Sequence, residues 1–169
     1  MAEWPTSDGV RLYHPNRMKA SSKVTRVVVV LLILASVVLM LVVTIGGWEK
    51  LAGAKPLQIA YIVVYLVLAF FIARWARGGL ALVAALAILL GIFAAIAGPG
   101  WIARDKPGFE NPALDEPVLG LITFLIVPVQ FLLIAFAMRG FQQAWNVEEE
   151  VPDSRQERSG PPWPGVQAA

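Results

Sequence analysis

The sequence lacks cysteine altogether, contains a single histidine and is poor in charge. Only 15% of its 169 residues are charged, whereas a soluble domain carries about 25%. The absence of cysteine excludes disulfides and cysteine-ligated metals. The single histidine allows at most one histidine ligand to a metal or haem per chain. With 57% hydrophobic residues and a mean hydropathy of +0.66, the composition excludes a disordered chain and an ordinary soluble enzyme. It indicates a membrane protein.

The low charge content results from four long stretches that contain no charged residue. A helix of about 20 apolar residues crosses the hydrocarbon core of a bilayer, which is about 30 Å thick. We therefore predict helices at about 27–48, 56–75, 78–98 and 117–139, and the glycine–proline–glycine sequence at 98–100 is expected to end the third. The fold class that follows is an all-α integral membrane protein, with 27–139 forming an antiparallel four-helix transmembrane bundle.

The first stretch has two alternative interpretations, and its length counts against both. Its run of valines is typical of a buried strand, but strands rarely exceed about 10 residues, and no alternating pattern typical of a β-barrel is present. A signal peptide has an apolar region of about 7–15 residues followed by a small-x-small cleavage site. The stretch at 27–48 is longer and has no such site after it, so we expect a membrane anchor.

The basic residues predict the orientation of the helices. Ten of the fourteen lysines and arginines flank the helix ends on one side, and four flank the other. Because positive charge concentrates on the cytoplasmic side, both termini are expected in the cytoplasm, with 1–26 as an N-terminal tail. The excess of arginine over lysine, 9 to 5, is typical of a GC-rich bacterium, so we expect the inner or plasma membrane.

Tryptophans mark the expected membrane interfaces, because an indole ring prefers the headgroup level. Four of them fall at predicted helix ends and are interpreted as interface anchors: Trp48, Trp75, Trp101 and Trp145. Beyond 139 the last helix is expected to continue along the interface, with Phe141 and Trp145 on one face. Residues 140–169 would then form an interfacial extension followed by a flexible cytoplasmic tail.

Polar residues within the predicted helices are few and uncharged. Thr123, Pro128 and Gln130 share the fourth helix, and Tyr61 and Tyr65 lie one turn apart in the second. Structural roles are the favoured interpretation: a proline kink, helix packing, and a tyrosine at the interface. A polar substrate path along the fourth helix, or a headgroup or quinone pocket at the tyrosines, stays open as the alternative.

Small residues in the third helix indicate where helices approach closely. Ala87, Gly91 and Ala95 follow one another at intervals of four residues. This spacing places them on one face, so we predict that the third helix is central in the bundle and packs through this stripe.

The segment at 101–117 is the longest connection and carries a net charge of −2. Its acidic residues include Asp105 and Glu110, but their spacing matches no calcium-binding pattern. A solvated connector is therefore favoured over a cation-binding or partner-docking loop.

No arrangement of residues typical of catalysis is present in the sequence. The four predicted membrane cores contain no Asp, Glu, Lys, Arg or His, although such residues mark most intramembrane functional sites. We predict no metal site, no cofactor and no enzymatic activity, and the net charge of +2 gives no support to nucleic-acid binding. The expected partners are the lipid bilayer and other membrane-protein subunits or a second copy of the chain.

Three functions follow from these observations. The favoured one is an accessory, scaffold or assembly subunit that acts through helix packing. The second is a small transporter or channel that forms its pathway only as an oligomer. The third, and least favoured, is a lipid- or quinone-binding membrane enzyme that uses loop residues such as Asp105 or Glu110.

Overall fold

The computed structural model of the chain describes residues 10–103 and 113–152. In chain order the elements are strand β1 (Val10–Tyr13), helix α1 (Pro15–Met18), helices α2 (Ala20–Gly46), α3 (Lys55–Ala73), α4 (Gly78–Ile102) and α5 (Glu116–Gln142), and strand β2 (Glu149–Pro152). A single 3-10 turn at Ala52–Ala54 precedes α3. By length and composition α2 to α5 are all able to cross a membrane. The predicted all-α four-helix membrane bundle is confirmed.

The four long helices form a ring in the order α2, α3, α4, α5. Adjacent helices contact one another along this ring, most extensively α4 with α5 and least extensively α3 with α4. The interior is filled by apolar side chains from all four helices, for example Ile33, Tyr65, Leu90 and Leu133. Most of the outward-facing side chains are also apolar, as expected where lipid rather than water surrounds the helices.

The prediction that α4 ends near residue 98 is wrong. The helix continues through Gly98, Pro99 and Gly100 to Ile102. A proline removes one helix hydrogen bond, but tertiary packing holds this turn in place. Gly98 lies against the ring of Phe124 on α5, and a Cβ atom added to Gly98 would come within 3.0 Å of that ring. Gly98 therefore serves close helix packing here instead of ending the helix.

The end of the bundle where α2 begins and α5 ends, the terminal end, is more ordered than the tail composition predicts. β1 and β2 pair antiparallel, with Tyr13 opposite Glu149. The side chain of Arg17 donates a hydrogen bond of 2.8 Å from Nε to the carbonyl oxygen of Trp145. Asn16 donates one of 3.1 Å from Nδ2 to the carbonyl oxygen of Ala144. The segments before α2 and after α5 are thus joined to each other.

Two arginines at the terminal end bind the carboxyl ends of helices. Arg26 on α2 donates from Nη1 to the carbonyl oxygen of Ala73, the last residue of α3, at 3.0 Å. Arg77 donates from Nε to the carbonyl oxygen of Phe141 in the last turn of α5, also at 3.0 Å. Cations are favourable at this position because the last carbonyls of a helix lack backbone partners and carry partial negative charge. Arg26 and Arg77, which belong to the basic residues that predict the orientation, therefore also cap helix ends.

The predicted interfacial extension of α5, with Phe141 and Trp145 on one helical face, is not what the structure shows. α5 ends at Gln142, and Ala144 takes a left-handed conformation with φ of 48°. This turn directs Trp145 back into the bundle, where it is fully buried. Its ring packs edge-on against Trp75, with 5.2 Å between the ring centroids.

Candidate functional site

Three polar side chains from three helices meet in the middle of the bundle, and we name them the midplane cluster: Ser36, Tyr65 and Gln130. The hydroxyl of Tyr65 donates to Oε1 of Gln130 at 3.0 Å, and Nε2 of Gln130 donates to Oγ of Ser36 at 2.9 Å. Ser36 in turn donates to the backbone carbonyl of Leu32 at 2.8 Å. Each of the three is at most 1% exposed.

The midplane cluster lies within about one turn of the midpoint of each helix that contributes to it. The bond between Tyr65 and Gln130 joins α3 to α5, which are diagonal in the ring. The remaining helix, α4, approaches the same level through Gly91, whose added Cβ would be 3.6 Å from Cβ of Gln130. The cluster therefore links α2, α3 and α5 at one depth with neutral hydrogen bonds. Its chemistry is suited to fixing helix positions.

A cavity of about 150 Å³ opens towards the other end of the bundle, the loop end, where α2 ends and α5 begins. We name it the loop-end cavity. Its deep wall is formed by Met40, Trp101 and Ile126, which are all at most 3% exposed. Its rim includes the exposed side chains of Leu57 and Phe93. On the four long helices, the exposed lining residues are Leu57 on α3 and Phe93 and Ala97 on α4, so the cavity opens between these two helices.

Polar atoms at the loop-end cavity come from Gln58, Tyr61 and Thr123. The hydroxyl of Thr123 is already used, since it donates to the carbonyl oxygen of Leu119 at 2.7 Å. The ring of Tyr61 packs edge-on against Tyr65 and Phe93, with centroid distances of 5.9 and 6.5 Å. The Tyr61 side chain is 9% exposed.

A shallow groove of about 250 Å³ runs between α4 and α5 on the outside of the bundle. We name it the α4–α5 groove; its α4 side is formed by Ala87, Ile88, Gly91, Ile92 and Ala95, and its α5 side by Val127, Gln130, Phe131 and Ile134. Thus the small-residue stripe predicted for the bundle centre lies along this groove. Only Ala87 is buried, whereas Gly91 is half-buried and Ala95 is exposed.

The remaining predicted residues lie in different surroundings. Pro128 is inside α5 and exposed, so it faces away from Gln130 and Thr123. Among the tryptophans interpreted as interface anchors, Trp48 is half exposed and receives the ammonium of Lys55 over its ring at 4.6 Å. Trp75 is half-buried, while Trp101 and Trp145 are buried within the protein at its two ends. All four lie at helix ends, but two face protein instead of the interface.

Sequence reasoning overlooked Ser36 and Gly120, and it assigned Gly98 to a helix end instead of a helix contact. Ser36 is one small hydroxyl in a helix of valines and leucines, and nothing local distinguishes it from a serine that bonds only its own backbone. Gly120 and Gly98 form a close approach of α4 and α5, because a Cβ on Gly120 would be 3.3 Å from the carbonyl oxygen of Gly98. The sequence did contain one signal for this contact: Gly98 lies at the end of the third predicted helix and Gly120 near the start of the fourth, so both are at the same end of the bundle.

Among residues 10–103 and 113–152, no group of three or more His, Asp or Glu side chains comes together to form a metal site. Asp105 and Glu110, which the third functional hypothesis requires, lie outside the described residues. Comparison with protein-family models, curated proteins and solved structures gives no significant match to this chain.

Proposed function

We propose that this protein is a non-catalytic, multi-pass membrane protein that works as an accessory, scaffold or assembly subunit through the packing of its helices. The observation that carries the proposal is the α4–α5 groove. Small residues let the backbone of another helix approach closely, which is the main source of helix association in a bilayer. Ala95 and Gly91 supply such a surface, and the 69% exposed ring of Phe131 stands beside it. The proposed occupant is a transmembrane helix of another membrane protein.

Non-catalytic action is supported by the chemistry of the membrane-spanning segments. They contain no acidic, basic or imidazole side chain between 27 and 48 or in the other three charge-free stretches. The polar groups of the midplane cluster bond one another. These neutral groups hold helices together and include no general base that would activate a hydroxyl as a nucleophile.

The α4–α5 groove is tested by a matched pair of alanine-to-leucine variants. Ala95 lies in the groove, while Ala60 is an equally exposed alanine on α3. Purification in mild detergent followed by mass spectrometry should return stoichiometric partner subunits. We expect Ala95→Leu to lower the recovered partner at least tenfold, about 1.4 kcal/mol, because the larger side chain fills the groove, and Ala60→Leu to leave recovery unchanged.

Two results would contradict this function. One is a chain that purifies alone, and the other is an equal loss of partner in both variants. A homo-oligomer that carries flux across liposomes, with the flux abolished by Gln130→Leu, would instead favour the second hypothesis, an oligomeric transporter or channel.

The proposed location is the inner or plasma membrane of a bacterium, with the terminal end in the cytoplasm. The absence of cysteine makes this testable with single-cysteine variants. Gly53 at the loop end and Gly78 at the terminal end both have open space around an added Cβ. A membrane-impermeant thiol reagent applied to intact cells should label Gly53→Cys, and should label Gly78→Cys only after permeabilisation. The reverse pattern would invert the topology.

A further inference from the structure

We propose that the loop-end cavity binds the ring of a lipid-soluble carbonyl compound of the quinone class, while the apolar tail of that molecule stays in the bilayer. The proposal concerns binding alone. It does not depend on the α4–α5 groove, because the cavity and the groove share no residue.

The size of the cavity fits a single ring. A cavity of about 150 Å³ within an apolar protein interior accommodates a molecule of the size of benzene, and the loop-end cavity has this volume. Three of the side chains that form it are aromatic: Tyr61, Phe93 and Trp101. Aromatic rings pack favourably against one another in stacked or edge-to-face arrangements. A flat ring therefore matches both the volume and the walls.

The hydroxyl of Tyr61 provides the polar contact. It makes no hydrogen bond with any residue in 10–103 or 113–152, whereas the hydroxyl of Tyr65, one turn further along α3, bonds Gln130. Tyr61 lies six residues after Lys55, the start of α3, which is about 9 Å along the helix. A hydroxyl that is in contact with the bilayer gains from any acceptor that reaches it, because lipid tails offer none. A ring carbonyl inside the cavity is such an acceptor.

The position of the opening allows the apolar tail of the ligand to stay in the bilayer. The cavity faces the membrane between α3 and α4, and its rim is formed by Leu57 and Phe93, each about half exposed. A ligand that enters from the bilayer keeps an apolar substituent in lipid while its ring is inside. Gln58 lines the same cavity and is half-buried, and its amide would be the donor to a second ring oxygen.

The test uses the full-length protein in phosphatidylcholine liposomes and a short-chain benzoquinone with a photoreactive tail. Labelled peptides are identified by mass spectrometry, with unlabelled decyl-benzoquinone as competitor. We expect saturable labelling of the α3 and α4 residues around the opening. Tyr61→Phe should raise the half-saturating concentration about fivefold, as expected for one lost hydrogen bond. Tyr13→Phe, on the exposed tyrosine of β1, should change nothing.

A second pair of variants separates this site from the groove. Ala97 lines the cavity at an exposed position, and Ala95 lies outside it. Ala97→Leu should reduce saturable labelling at least fivefold, while Ala95→Leu should leave labelling intact even where it removes a partner. Labelling that the competitor does not saturate, or a Tyr61→Phe variant that behaves as Tyr13→Phe does, overturns the proposal. So does equal labelling of the cavity by a photoreactive phosphatidylcholine, which would identify an acyl chain as the occupant.

Discussion

Gly120→Val is expected to destabilise the bundle by about 2–3 kcal/mol. Gly120 lies on α5 and directly faces the backbone of α4. A Cβ atom added there would be 2.8 Å from Cγ1 of Ile102 and 3.3 Å from the carbonyl oxygen of Gly98. Ile102 is half exposed and able to shift, but the carbonyl belongs to the backbone of α4. Valine adds two further methyl groups, so the two helices must move apart and lose contacts along their interface.

The control for this variant is Gly100→Val. Gly100 lies in the last turns of α4, and an added Cβ would have no neighbour within 4 Å. Because valine and glycine differ little in helix propensity, this change should stay within about 0.5 kcal/mol. Unfolding in detergent, followed by the loss of helical circular dichroism with increasing denaturant, compares the two. Equal stability of both variants would disprove the close approach of α4 and α5 at Gly120.

Gln130→Leu is expected to cost about 1–2 kcal/mol, because it leaves the hydroxyl of Tyr65 buried without an acceptor. The side chain of Leu is similar in length, so little cavity is formed. Ser36 keeps its bond to the carbonyl of Leu32 and contributes less to the loss. Gln142→Leu, at an exposed position in the last turn of the same helix, is the matched control and should remain within about 0.5 kcal/mol.

A double-mutant cycle distinguishes the hydrogen bond from a change of packing. In a background of Tyr65→Phe, the hydroxyl that Gln130 accepts from is already absent. Gln130→Leu should then cost about 0.5–1 kcal/mol less than it does in the native background. Full additivity of the two single changes would show that the midplane cluster does not couple α3 to α5.

The sequence was sufficient for most of the bundle but not for the ends of its helices. Four apolar stretches longer than any strand are enough to predict four helices, because lipid leaves the backbone no other way to pair its polar groups. The local rule that glycine and proline end a helix predicted a stop near residue 98, whereas α4 reaches Ile102. The contact of Gly98 with Phe124 involves residues 26 positions apart, and no local rule contains it.

The candidate sites show the same division. Gln130, Tyr61 and Tyr65 stand out in the sequence because they are polar residues in apolar segments. Their partners do not, since Ser36 resembles any serine in a helix and the bond between Tyr65 and Gln130 joins residues 65 positions apart. The four-residue spacing of Phe141 and Trp145 predicted that they share one face of a helix. In the structure the left-handed conformation of Ala144 turns the chain, and Trp145 lies in the core. Burial of its ring offsets the cost of that conformation.

The low charge content of this chain, and the absence of charge from four long apolar stretches, are enough to predict a membrane protein with four spans. The free energy of transferring a segment between water and lipid depends on its composition and length, and both can be read from the sequence. Only the tertiary structure decides that the hydroxyl of Tyr65 has a hydrogen-bond partner while that of Tyr61 has none among residues 10–103 and 113–152. It also decides that the glycines at 98 and 120 lie where two helices meet, and that a cavity opens between α3 and α4. These features depend on which helices are neighbours and how each is rotated, and neither property belongs to any one segment.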